Sequence, residues 1–199
     1  LAAFSASGIS GLVTGIENVR GGNAADSLSG DENANHLEGN GGNDTLNGRG
    51  GNDVLDGGLG DDTLAGGTGD DRYVFNAGWG SDNVIEADAE GNDTLDFSAI
   101  SAALTITLDA LTVTDGSNWV SHSGAGIENI QSGSGNDLFN INSNRAISLY
   151  GGAGNDTYVF SDGVTLNGSI DGQNGSDWLD FSAFTTARNV VLPGLGSVD

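Results

Sequence analysis

The chain has 199 residues, of which 36% are hydrophobic, so it can bury only a modest core. A formal net charge of −23, with five arginines and no lysine, makes nucleic acid and anionic membrane poor partners. There is no cysteine to build a disulfide frame. Such acidity, together with 35 glycines, implies either a disordered chain or one whose carboxylates await a stabilising cation.

The N-terminus LAAFSASG has neither a charged start nor a continuous apolar segment, and no run of eighteen apolar residues follows, so neither a signal peptide nor a membrane span is read. The sequence begins without Met and in mid-pattern, which suggests a piece of a longer protein. The β-branched residues of ISGLVTGIENVR, ending at Arg20, predict leading strands of a truncated repeat over residues 1–20.

From Gly21 to Phe75 a nine-residue unit repeats without interruption, in its least eroded form as GGLGDDTLA followed by GGTGDD over 57–71. Each unit opens on glycine (Gly21, Gly30, Gly39, Gly48, Gly57, Gly66). An apolar row, Leu28, Leu37, Leu46, Leu55, Leu64 and Tyr73, interlocks with a polar row, Asp26, Asn35, Asp44, Asp53, Asp62 and Asp71. Two rows that never mix over six units predict order rather than disorder. Each unit reads as a six-residue glycine-rich turn and a three-residue strand whose leucine points inward. Two units then make one turn of a coil, which places residues eighteen apart one above another at a strand spacing of about 4.8 Å.

These rows fit the pattern G-G-x-G-x-D-x-U-x and resemble the RTX, or hemolysin-type calcium-binding, nonapeptide repeats. The resemblance implies an all-β fold: a right-handed parallel β-roll or β-solenoid with stacked glycine-rich calcium loops. It further implies Ca2+ between loops of adjacent turns, held by aspartates of both loops and by loop carbonyls. Glycine lets those carbonyls turn inward through positive φ. Carried onto this chain, one edge uses Asp26, Asp44 and Asp62 and the other Asp53 and Asp71, with the loops of Gly39, Gly42, Gly48, Gly51, Gly57, Gly60, Gly66 and Gly69 contributing. The first units depart from the pattern: Ala24 and Asn33 replace the fourth-position glycine, and Asn35 replaces the aspartate. Asn40 and Arg49 stand at the second position, read as the least demanding one.

Beyond Phe75 the spacing widens. GWGSDNVI supplies Gly80 and Asp82, and DAEGNDTLD supplies Asp93, twenty and twenty-two residues past Asp62 and Asp71, so both can continue the two edges. EADAEGND half-resembles an EF-hand loop, but Phe97 stands where the terminal glutamate is needed, and that reading is rejected. LDFSA, ALTITLDA, LTVTD, NWVSHS and IENI predict strands of a wider rung or a meander. SGSGND, GGAGND and GQNGSD then bring Asp137, Asp156 and Asp177, with Gly151 and Gly154, as a single further column. The expected organisation is a leading segment over 1–20, a β-roll over 21–96, connecting strands over 97–131 and a looser solenoid with wider rungs over 132–199.

The chain also repeats itself on a larger scale. IENVRGGNAADSL (16–28) resembles IENIQSGSGNDLF (127–139), GGTGDDRYVF (66–75) resembles GGAGNDTYVF (151–160), and GNDTLDFSA (91–99) resembles GSDWLDFSA (175–183). No H-E-x-x-H, no G-x-S-x-G and no Cys or Lys nucleophile occurs, so no catalytic activity is expected. Of the histidines His36 and His122, His36 reads as an outward strand residue. Trp79, Trp119 and Trp178 could stack on sugars or fill and cap the coil. For Trp178, matched to Thr94, the capping or filling role is expected. Ser27, Thr45 and Thr63 share an outward column, too short for ice binding, while the column His36, Val54 and Arg72 is irregular. The expected function is a calcium-binding structural module of a larger protein, monomeric, secreted by a type I system and folding on calcium outside the cell. The alternatives are a glycan- or surface-binding adhesin module, or the non-catalytic C-terminal part of a secreted hydrolase or epimerase.

Overall fold

The structure, a computed structural model, describes residues 14–87 and 91–187. The first part of the leading segment, residues 88–90 of the EADAEGND stretch and the end of the looser solenoid from Arg188 lie outside the described residues.

Among the described residues the regular elements are all β-strands. The leading segment ends in β1 (Asn18–Arg20), and the nonapeptides form β2 (Ser27–Ser29), β3 (His36–Glu38), β4 (Thr45–Gly50), β5 (Val54–Asp56), β6 (Thr63–Thr68) and β7 (Arg72–Val74). The wider rungs add β8 (Ser81–Ile85) and β9 (Thr94–Asp96). Next come β10 (Thr105–Thr107), β11 (Leu111–Thr114) and β12 (Trp119–His122), and then β13 (Asn129–Gln131), β14 (Leu138–Ile141), β15 (Ser148–Tyr150), β16 (Thr157–Phe160), β17 (Ile170–Asp171) and β18 (Trp178–Asp180).

Successive strands alternate between two sheets, as half-turn units must. The first sheet runs β1-β3-β5-β7-β9-β13-β15-β17, and the second β2-β4-β6-β8-β12-β11-β10-β14-β16-β18. In the nonapeptide region the register is eighteen residues: Leu37 pairs with Leu55 in the first sheet, and Leu46 with Leu64 in the second. The inward rows are Leu37, Leu55, Tyr73, Leu95, Ile130 and Leu149 on one side and Leu28, Leu46, Leu64 and Val84 on the other, all buried. This thin apolar seam is the core.

The second sheet departs from simple coiling at one place. β10, β11 and β12 pair antiparallel in succession, β12 pairs parallel with β8, and β10 pairs parallel with β14. One turn of the coil therefore contributes three strands to the second sheet and one to the first. The β11–β12 turn is closed by Asp115, whose Oδ1 accepts the Ser117 and Asn118 amides at 2.8 and 2.7 Å, and by Gly116 at φ 91°. Next to the meander the core widens, and aromatic rings fill it. Phe75 and Phe97 stack at 4.5 Å, and Trp79 meets both edge-on at 6.4 and 5.7 Å. Trp79 is 1% exposed, which removes it from any sugar-binding role. Trp178 is the opposite case: it is 69% exposed and in register with Thr157 of the second sheet, whereas Thr94 lies in the first, so it does not fill the coil.

Candidate metal centre

The turns between strands stack as the strands do, and three features of each unit decide what a loop can hold. The first is the sixth-position carboxylate, which folds back toward its own loop. Its Oδ1 accepts the backbone amide of the corresponding residue one turn earlier: Asp44 from Asp26 at 2.7 Å, Asp62 from Asp44 at 2.7 Å, and Asp82 from Asp62 at 2.9 Å. On the other edge Asp53 accepts from Asn35 at 2.6 Å, Asp71 from Asp53 at 2.7 Å and Asp93 from Asp71 at 2.8 Å. Farther along, Asp137 accepts from Leu104 at 2.7 Å, Asp156 from Asp137 at 2.8 Å and Asp177 from Asp156 at 2.9 Å. This last column lies on the second-sheet edge, so it continues the Asp26 column across the meander. Glu128 closes the other edge, accepting the Asp93 amide at 2.9 Å.

The second feature is the unused oxygen. The Oδ2 atoms of Asp44, Asp53, Asp62, Asp93 and Asp156 are buried without a hydrogen-bond partner. Leaving a carboxylate oxygen so placed is costly unless a cation meets it. Burial accordingly pushes these acids up: Asp53 to about 7, against the Asn35 amide that lowers it, and Asp93 to about 7. Burial likewise raises Asp82 to about 8 and Asp156 to about 6, with neighbouring aspartates adding to the rise. Asp44, Asp62 and Asp137 are raised for the same first reason.

The third feature is the glycine pattern, which has two separate causes. A Cβ at the first-position Gly39, Gly48, Gly57, Gly66 or Gly151 would overlap Oδ2 of its own unit's aspartate. A Cβ at the fourth-position Gly60, Gly69, Gly80 or Gly154 would overlap the carbonyl oxygen of Gly42, Gly51, Gly60 or Gly135 in the preceding turn. Those fourth-position residues also have φ between 86° and 131°. Carbonyl oxygens thus point along the axis from each loop into the next. The second position, read from sequence as undemanding, is left-handed too: Asn40 at φ 71°, Arg49 at 80°, Gly58 at 94° and Gly67 at 100°. Asparagine tolerates this region, and arginine is strained in it.

The ends of the columns differ from their middles. Asp26 is half-buried and Asp177 exposed. Asn35 is buried, and its Oδ1 accepts the Asp31 amide at 2.7 Å, so it keeps the loop's hydrogen bonds without bringing charge. Sequence reasoning missed a second ladder at the fifth position. Asn43 accepts the Asp61 amide at 3.2 Å, Asn52 the Asp70 amide at 3.0 Å, Asn136 the Asn155 amide at 2.7 Å and Asn155 the Ser176 amide at 2.8 Å. It runs opposite to the sixth-position ladder, so each loop is tied to both neighbours. The recurring Asn-Asp and Asp-Asp dipeptides were its signal. Glu86 was also missed: buried, it accepts from the Tyr73 hydroxyl and from the amides of Gly66 at 2.9 Å and Gly67 at 3.2 Å.

Among the described residues no three His, Cys, Asp or Glu side chains gather into a metal cluster. A cation between these loops would therefore draw on backbone carbonyls as well as the aspartates. An all-oxygen, largely backbone donor set without strict geometry suits calcium, which takes six to eight oxygens, and does not suit zinc or copper. The residues present fit the ion.

Fold and loops together define a calcium-loop β-roll. The RTX calcium-binding nonapeptide repeat family matches residues 13–46 and 38–73, and the peptidase M10 serralysin C-terminal family matches residues 60–193. The chain belongs to the serralysin C-terminal family and carries RTX repeats that bind calcium. Both families are non-catalytic modules of secreted proteins, typical of export by type I systems. No curated protein matches the chain. Among solved structures, the solution structure of the AlgE6R3 subunit from the Azotobacter vinelandii mannuronan C5-epimerase is similar, with 27% identity, 58% of this chain and 85% of that chain covered, and a TM-score of 0.40. No helix among the described residues is long and apolar enough to cross a membrane.

Proposed function

We propose that this chain is a calcium-triggered folding module of a larger secreted protein, without catalytic activity of its own. Calcium is held between successive loops by Asp26, Asp44, Asp62 and Asp82 on one edge, Asp53, Asp71 and Asp93 on the other, and Asp137, Asp156 and Asp177 beyond the meander. Carbonyls of the loops around Gly42, Gly51, Gly60, Gly69 and Gly154 complete the coordination. What carries this reading is the stack of buried, partnerless Oδ2 atoms in loops whose glycines aim carbonyls at one another. Bound calcium supplies positive charge to carboxylates that otherwise repel, and stabilises the coil by mass action. Affinities of about 10⁻⁴ to 10⁻³ M, usual for extracellular modules, leave the chain unfolded in a cytosol and folded outside. Circular dichroism in chelator and in millimolar calcium tests this. Strand signal that appears only with calcium is expected, and a full signal in chelator would sink the proposal.

A further inference from the structure

The outward face of the second sheet stands apart from the rest of this acidic molecule. Strand pairing puts Ser27, Thr45, Thr63, Asn83, Ser121, Thr112, Thr107 and Asn140 on one continuous column across eight strands. The column that begins as Ser27, Thr45 and Thr63 is thus far longer than the period-nine region alone implied. Beside it runs a second column, Ser81, Trp119, Thr114, Thr105, Leu138, Thr157 and Trp178. In a chain with 28 acids, no outward strand position from β2 through β16 on this face holds Asp or Glu. The first sheet differs, placing Glu38, Asp56 and Asp96 on its corresponding strands. Trp119 is 49% and Trp178 69% exposed, although each offers a large ring that folding could have buried.

We propose that this face binds an uncharged polysaccharide lying along the coil axis, across the strands. The hydroxyl and amide ladder recurs at about 4.8 Å, close to the length of one sugar ring, and can exchange hydrogen bonds with sugar hydroxyls at each step. The exposed tryptophans supply flat apolar surfaces for the C–H faces of the rings. A net charge of −23 opposes an anionic polymer and equally opposes a second copy of the chain. Ice is disfavoured because Trp119 and Ile85, each about half exposed, interrupt the flatness of the columns beside the ladder.

Affinity electrophoresis of the calcium-loaded chain in gels containing hydroxyethyl cellulose, xyloglucan, galactomannan or dextran tests the proposal, with polygalacturonate as the anionic control. At least one neutral polymer should retard the chain. Trp119→Ala and Thr112→Asp should each weaken that retention about tenfold while leaving the strand signal and the calcium midpoint in place, which separates this result from the calcium reading. If Trp119→Ala loses its strand signal, Thr112→Asp decides alone. Any of four results overturns the proposal: no retardation in all four neutral gels, retention unchanged by the variants, thermal hysteresis without polymer binding, or a dimer that Thr112→Asp dissociates.

Discussion

Arg49 holds φ 80° at the second position of its unit, which glycine occupies at positive φ in Gly58 and, one turn on in the same column, in Gly67. Relieving the crowding of its Cβ should outweigh the added freedom of a glycine in the unfolded chain, so Arg49→Gly is expected to stabilise by about 1 kcal/mol or less, read as a small rise in the calcium-loaded melting temperature. Gly60→Ala is the converse. It combines φ 131° with an overlap on the Gly42 carbonyl and should cost about 2–3 kcal/mol. Equal melting temperatures for the two variants would contradict both arguments. Among the carboxylates, Asp53 is 1% exposed and takes the Asn35 amide while giving its own to Asp71, whereas Asp26 is half-buried at the coil's start. Asp53→Ala should therefore raise the calcium midpoint of folding more than Asp26→Ala, and titration of both by circular dichroism makes the comparison.

At the scale of elements, the meander is where coil and core change together. Three strands enter the second sheet for one in the first, and the Phe75, Trp79 and Phe97 cluster occupies the widened interior beside them. Trp79→Ala should cost about 3–5 kcal/mol, because it leaves a ring-sized cavity that the sheets cannot close over. Trp119→Ala, on the outward face of β12, should cost well under 1 kcal/mol by the same measurement. Thermal unfolding of the two calcium-loaded variants distinguishes them. Similar losses would mean that β12 depends on its outward tryptophan for pairing. His122 shows the same widening from inside the sheet: it lies in register with Val84, in the row of Leu46 and Leu64, with Nδ1 3.2 Å from the Val84 carbonyl.

For the whole molecule, the buried aspartates tie stability to both calcium and protons. Their folded values, from about 6 for Asp156 to about 8 for Asp82, lie above the ordinary carboxylate value of about 4. The folded metal-free chain therefore binds more protons than the unfolded chain between those values, and its stability falls as pH rises from about 4 to about 8. In chelator, acidification from pH 8 to pH 5 should recover strand signal. With calcium bound the aspartates carry no proton, and above about pH 5 neither do those of the unfolded chain, so the calcium midpoint of folding should stay flat from pH 8 downward until the proton-stabilised metal-free fold takes over. A midpoint that rises steeply on acidification from pH 8 would show that the unfolded chain's aspartates hold protons there too.

Much of this was legible in the sequence, because a period of nine leaves its chemistry in fixed places. The leucine row, the aspartate row and the opening glycines each follow from a local requirement: an inward strand position, an oxygen in the loop, and room for that oxygen beside a backbone without Cβ. With the resemblance to the RTX repeats supplying the stacked loops, spacing placed the two edges, joined Asp82 and Asp93 to them and stacked Asp137, Asp156 and Asp177. What the tertiary structure decided is which side each unit takes. GGTGDDRYVF and GGAGNDTYVF are nearly the same words, yet β7 lies in the first sheet and β16 in the second. One nonapeptide is half a turn and fits either side, so its sheet is set by how many half-turns precede it. The three-strand meander had the same origin beyond local reach: its strands alternate like any others, and only their partners, β8 on one side and β14 on the other, make them part of one continuous face free of outward acids from β2 through β16.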